Sequence, residues 1–322
     1  MMNKRVYGVL AIKSIMANWN ADFSGFPKSI STGETFGSDK ALKYPIKKMW
    51  EDQGEKVLYI KSLKIDESDK DGTAIRPKSL SERYEQIFEQ KVVKDKKDKK
   101  NNKEVLENLF KAIDVKNFGA TFAEEGNNIS ITGAVQITQG FNKYDGHNVE
   151  EQQILSPFRN SKNKKDKDTD EEKEDSSSTL GNKIVSNEAH YFYGFAINPI
   201  AYKAFVEMGV TEGYTEDDYK KFKEAASISA TSFNTNSKIG CENELAIFVE
   251  TDLDLYLPDL AQFVSFEKEE NKSVIKLGFD SLLNDLKEKI KSVEVYYNPY
   301  TTKIEGNISN VKYFNIFTKQ GI

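Results

Sequence analysis

Few residues in this chain could carry catalysis or hold a metal. Histidine occurs twice, at His147 and His190, and cysteine once, at Cys241. A tetrahedral zinc site of the usual ligand spacing cannot be built from that set. Residues 67–78 echo a calcium loop through Asp69, Asp71 and Gly72, but Lys78 stands where the bidentate glutamate belongs. Gly33 to Ser38 is one residue short of a phosphate loop and lacks the lysine after the second glycine, so nucleotide hydrolysis has no support. Cys241 with His190 supplies a nucleophile and a base in principle, yet a lone cysteine beside a strand reads first as packing. Asp252 and Asp254 share a face at a strand end, the spacing of paired metal carboxylates and equally of solvent-facing acids. No cofactor is expected.

The scaffold behind these groups is ample. The 322 residues suffice for one large domain with insertions or two ordinary ones, and 38% hydrophobic residues supply a core. Charged residues make up 30%, no apolar run approaches the roughly 20 residues that span a bilayer, and one cysteine cannot form an internal disulfide. Together these favour a soluble cytoplasmic protein without a membrane partner. Lys4 and Arg5 precede the apolar stretch Val6 to Ile12 as in a signal peptide, but Lys13 interrupts it and no small-x-small site precedes Trp19, so a buried first strand is expected. Net charge is -5, the wrong sign for a phosphate binder, but residues 1–50 hold eight Lys or Arg against three Asp or Glu, and the remainder 38 against 48. A basic N-terminal region is set on an acidic body.

Alternation at 129–138 predicts a strand with one polar face, paired in a hairpin with 118–123 across Gly126-Asn127-Asn128. Further strands are expected at 7–15, 57–63, 245–251, 293–297 and 312–317. Asn198-Pro199 opens a helix that Gly209 ends, and Thr215 with Asp218 forms a capping box ahead of another. Phe279, Leu282, Leu283, Leu286 and Ile290 form a helical stripe. The polar tracts 91–104 and 160–178 bury too little to order themselves and read as mobile loop tips. Without regular βαβ spacing, an α+β domain with an antiparallel sheet is favoured.

Five stretches carry a resemblance: Asn18-Trp19-Asn20-Ala21-Asp22-Phe23-Ser24-Gly25, Gly37 through Lys48, Asp114 through Ala120, Ile131 through Gln136, and Tyr193-Gly194-Phe195-Ala196-Ile197-Asn198-Pro199. In this order they resemble the guide-RNA-binding backbone subunits of type I CRISPR-associated Cascade surveillance complexes, of the RAMP superfamily, with the likeness greatest to subtype I-B. It extends over about residues 5–255.

The resemblance implies a modified RNA-recognition-motif (ferredoxin-like) core, β1α1β2β3α2β4, forming one domain over 1–322 with a finger insertion at 65–111 and a thumb hairpin at 147–188 whose charged tip is 160–178. It implies copies assembling head to tail on CRISPR guide RNA (crRNA), and antiviral defence by recognition of invading DNA, whose target strand pairs with the guide. Partner subunits would be the 5′-handle-binding, large and small subunits and the guide-processing endoribonuclease. A subunit that must hold any guide can read only phosphate, sugar and stacking. Lys43 and Lys47 match the family's RNA-backbone lysines, with Lys48 beside them; a continuous helix would put Lys43 and Lys47 on one face, and the alternative is a helix that begins at Pro45, since Tyr44 is biased away from α geometry. Asn18, Trp19 and Asn20 follow the first strand, where they could stack on or hydrogen-bond RNA, and Trp19 serves equally well to close the core. Gln136, Thr138 and Gln139 on a polar strand face, with Phe141 and Tyr144 beyond, are candidates for sugar contacts and stacking. Ser237 and Lys238 lie in a loop where related subunits approach RNA. Lys116 to Phe122 has only half of the aromatic RNA-recognition signature, so loops and thumb should dominate over sheet-face stacking.

Two other readings remain open. Type III backbone subunits cleave target RNA with an aspartate after the first strand, a region Asp22 occupies, although the motifs here match type I, where no such activity is expected. An acidic, RNA-free scaffold would suit the -5 charge.

Overall fold

Residues 5–17 are apolar on both sides of the pleat, and a strand built that way must be covered on both faces. In the computed structural model Arg5–Ala17 is the central strand, running antiparallel to Thr179–Ile197 on one side and to Cys241–Thr251 on the other. The structure describes residues 1–66, 74–92, 99–124, 126–155, 179–269 and 272–322.

Val135–Ile137 pairs antiparallel with the far edge of Thr179–Ile197. Helix Asp39–Asp52 falls between the first and second of these strands, and helix Glu216–Ala226 between the third and fourth. Counted along the chain, the four strands lie in the order 4-1-3-2, the RNA-recognition-motif arrangement, and the fold is α+β. Ile290–Tyr297 adds antiparallel beside Cys241–Thr251, and Val311–Asn315 parallel beyond it. Among the described residues no helix is long and apolar enough to cross a membrane.

The two faces of the central strand feed separate cores. Val6, Leu10 and Ile12 pack with Leu42, Ile46 and Trp50 of the first helix, and with Phe195, Phe222 and Phe248. Tyr7, Val9 and Ala11 join Phe192 and Ile247 against Val264, Phe266, Ile275 and Leu277. The latter belong to a second sheet of Val264–Glu269, Lys272–Leu277 and Thr302–Glu305. The sheet face that RNA-recognition domains ordinarily open to bases is therefore covered, and its aromatics are core.

Several expectations need correcting. The first helix begins at Asp39 with Ser38 as its cap, and Pro45 sits inside it. Proline costs one hydrogen bond, but a start at Pro45 would forfeit the cap and the turn that buries Leu42. No strand forms at 57–63 as a whole: the Leu58 and Tyr59 N–H groups donate to the Asp114 carboxylate at 2.9 and 2.8 Å, Arg83 donates to the Val57 carbonyl, and the strand is Leu63–Ile65, paired with Ile75–Pro77. Side chains satisfy that backbone in place of a ladder. The stripe at 279–290 is helical only over Asp280–Asp285, followed by a 3-10 turn at Lys287–Lys289, and Ile290 opens a strand. Helix Lys99–Leu109 takes in part of the tract read as a loop, because Val105 and Leu109 anchor it in the core.

The hairpin forms as Gly119–Phe122 against Ile129–Thr132, but the single strand expected over 129–138 breaks at Gly133, which is pressed against the backbone of Phe118 and Gly119, and Val135–Ile137 pairs with Thr179–Ile197 instead. Asn198 and Thr215 cap as expected. In the thumb region, Val149–Leu155 pairs with the first part of Thr179–Ile197. The tip at 160–178 and residues 67–73 of the calcium-like loop lie outside the described residues, as do 93–98 of the lysine-rich tract.

Candidate nucleic-acid interface

Four segments converge where the first strand ends. The Asn18 N–H donates to the Ser237 carbonyl at 2.9 Å, and the Lys238 ammonium donates to the carbonyls of Asn18 and Trp19 at 2.7 and 2.5 Å, fastening loop 233–238 to loop 18–25. The Asn18 amide donates to the Gly25 carbonyl at 2.9 Å and the Ile184 carbonyl at 3.3 Å, tying that loop to the thumb base. Asn20 Oδ1 accepts from the Ser38 N–H at 2.8 Å, joining it to the cap of the first helix. Between these segments runs a groove of about 610 Å³.

Its chemistry differs from that of the chain around it. Among the described residues no aspartate or glutamate lines the groove, although the protein carries net charge -5. Its polar surface comes from asparagines, hydroxyls and the lysines Lys183 and Lys238. Burial pulls the Lys238 ammonium below its ordinary pKa, and among the described residues neither lysine meets a carboxylate. Tyr44 is exposed and packs edge-to-face on Phe233, with centroids 5.4 Å apart. Asn18 is 4% exposed and its Oδ1 has no partner. A neutral-to-basic cleft of amides and aromatic edges suits a polyanion with planar bases.

The residues singled out from sequence divide between this groove and other places. Asn18, Trp19, Asn20, Ser237 and Lys238 all line it. Trp19, however, is 1% exposed and its indole N–H donates to the Tyr193 hydroxyl at 2.6 Å, so it closes the core and presents no face for stacking. Lys43 and Lys47 do share a helix face, but that face turns inward. Lys43 pairs with Asp39 at 2.8 Å; Lys47 lies 3.8 Å from buried Asp114, and both amines stand over the Phe118 ring. Burial lowers the Lys47 pKa and raises that of Asp114, although the two charges and the backbone N–H groups on the carboxylate pull the other way. Lys48 pairs with Glu51 and Asp52.

Gln136, Thr138, Gln139 and Phe141 are apart from the groove. Gln136 donates to the Gly133 carbonyl and Thr138 accepts from the Gly194 N–H, while Phe141 packs on Phe36. The Gln139 side chain lies near the Asp39 carboxylate at the helix start and, after Lys43 and the Lys40 backbone N–H, helps to lower its pKa. Tyr144 packs edge-on against His190 and Phe266. Sequence reading missed Tyr44, Phe233, Lys183 and Asn182. Only strand register and the 233–238 loop path bring these four together, and neither has a sequence signature.

The remaining chemistry does not assemble either. His190 is fully buried between Glu244 at 2.6 Å and Glu188 at 3.0 Å, stacked on Phe266, while Cys241 Sγ lies against Ser14, so the two form no nucleophile and base pair. Asp22 Oδ1 accepts from the N–H groups of Ser24 and Phe26 at 2.8 and 3.0 Å, holding a tight turn. Asp252 and Asp254 pair with Lys291 and Lys289. Among the described residues no three His, Cys, Asp or Glu side chains are grouped to hold a metal ion.

The 4-1-3-2 sheet, with helices on one face and a second sheet on the other, defines a modified RNA-recognition-motif protein. The family described as CRISPR-associated protein Cas7 matches residues 4–284, and the chain belongs to it. A solved structure described as "CRISPR RNA-guided surveillance complex, pre-nicking" shares the fold at TM-score 0.51 and 14% identity, covering 97% of this chain and 95% of its own. Another, described as "CRISPR RNA-guided surveillance complex", aligns at TM-score 0.46 and 13% identity, covering 90% of this chain and 88% of its own. No curated protein matches significantly.

Proposed function

We propose that this protein is a guide-RNA-binding backbone subunit of a CRISPR surveillance complex, one that holds RNA and does not cut it. The observation that carries the reading is a groove that no carboxylate lines among the described residues of an acidic chain, walled by the loop after the first strand, the first helix, the thumb base and loop 233–238. Membership of the Cas7 family supports it, as does the shared fold with a chain of an RNA-guided surveillance complex.

On this reading copies of the chain line up along one guide RNA in the cytoplasm, beside the other subunits of a type I-B Cascade, and target DNA is read by pairing with the guide. The finger is the insertion at 65–111, and the thumb at 147–188 reaches over the RNA to the neighbouring copy. Groove residues hold phosphate and sugar, so sequence plays no part in affinity. Asp22 serves as the acceptor of its turn, not as a cleaving group.

Size-exclusion chromatography with the 260/280 nm absorbance ratio, before and after ribonuclease, tests the proposal. A large, RNA-rich species that shrinks on digestion is expected. A nucleic-acid-free monomer that takes up no guide RNA at low salt would sink it and leave an RNA-free scaffold.

A further inference from the structure

Phe23 is the most exposed large apolar residue of the described chain, at 112% of its reference surface, and it sits on a turn that is held fixed. Asp22 Oδ1 accepts from Ser24 and Phe26, the Asp22 N–H donates to the Phe26 carbonyl, the Gly25 N–H donates to the Asp22 carbonyl, and Gly25 takes the left-handed φ of 89° that closes the turn. Asn18 ties the same turn to the thumb base through Gly25. Five hydrogen bonds thus fix the backbone that carries this ring, and among the described residues the ring packs against nothing.

Its location supplies the reason. Ala21 precedes the turn and Ser24 and Gly25 follow Phe23, and all three line the groove, so the turn that carries the ring stands at its rim. The groove already carries one exposed aromatic, Tyr44, edge-on to Phe233, together with Lys183 and Lys238 and no acid. A base leaving such a groove meets a solvent-exposed π face on a turn that is already ordered, so stacking costs no further ordering of the backbone. We infer that Phe23 is a stacking platform for an unpaired nucleobase at the mouth of the groove. This inference rests on the RNA-binding reading above and adds a residue to it. A hydrophobic contact with a neighbouring protein chain is the competing use of the ring.

The test is fluorescence anisotropy with labelled single-stranded oligouridylate and with an abasic oligoribonucleotide of equal length, using wild type, Phe23→Ala, Phe23→Leu and Phe23→Trp. The ring contributes nothing to the core, so all four should melt alike. Stacking predicts that Ala and Leu weaken oligouridylate binding by roughly five- to hundred-fold, that Trp restores it, and that the abasic strand binds all four equally. Binding by Leu at the wild-type level would overturn the inference and point to a protein contact. So would a wild type that does not distinguish the abasic strand. Failure of wild type to bind either strand would remove the groove reading itself, and this inference with it.

Discussion

The indole N–H of Trp19 donates to the Tyr193 hydroxyl across 2.6 Å, and Gly37 lies against both side chains so closely that a β-carbon there would overlap the hydroxyl and the indole. The loop after the first strand, the strand before the first helix and the long strand of the thumb are locked at this point. Gly37→Ala should cost about 1–3 kcal/mol through overpacking, and Trp19→Phe about 1 kcal/mol, because the Tyr193 hydroxyl loses its donor. Thermal melts followed by circular dichroism measure both. A Gly37→Ala variant as stable as wild type would show that the contact yields freely.

Groove electrostatics predict a salt effect. Lys183 meets no carboxylate among the described residues, so Lys183→Ala should reduce the slope of log K against log salt for RNA by about one. Lys48→Ala, on the outer helix face beside Glu51 and Asp52, should leave the slope unchanged. Anisotropy titrations at several salt concentrations decide between them.

Lys47 should matter to folding more than to RNA. Its removal strands the buried Asp114 carboxylate without a counter-charge, a loss on the order of 1–3 kcal/mol near neutral pH. Burial already raises the Asp114 pKa, so the penalty should fade as pH falls and the carboxyl protonates. Urea denaturation of Lys47→Ala at two pH values tests it; an unchanged midpoint together with weakened RNA binding would return Lys47 to the interface.

His190 sets a pH window for stability. Burial alone would lower its pKa, but Glu244 and Glu188 outweigh burial and raise it above 6.5. A raised folded pKa gives stability that is fully present below about 6.5 and lost as pH climbs through the raised value. Glu188, hydrogen-bonded to His190 and to Lys268, is depressed from 4.5 to about 2, so its contribution holds above 4.5 and is lost as pH falls towards 2. The stability gap between wild type and His190→Gln should therefore be widest between about 4.5 and 6.5, at about 1.5–3 kcal/mol. A gap independent of pH would mean the imidazole is not charged in the folded protein.

By itself the sequence determined the elements that local physics controls. A continuous apolar run marked the first strand and alternation the hairpin around Gly126, and the strands near 245 and 293 were read as well. Side-chain caps marked the turns beginning at Asn198 and Thr215. The start of the first helix stayed open because the cost of Pro45 is local, whereas the burial of Leu42, Ile46 and Trp50 that outweighs it is tertiary. Segment 57–63 was misread for the same reason: Asp114 and Arg83, distant in sequence, satisfy its backbone.

The groove was legible only in the loops that border a strand directly. Asn18, Asn20, Ser237 and Lys238 were marked by family pattern and loop position, and they do meet. Which way Lys43 and Lys47 face was decided by Asp39, Asp114 and Phe118, and the entry of Tyr44, Phe233 and Lys183 by register and loop path. A sequence fixes which side of its own helix or strand a residue occupies. Whether that side meets solvent, a carboxylate or a groove depends on what packs across from it, and only the folded chain sets that.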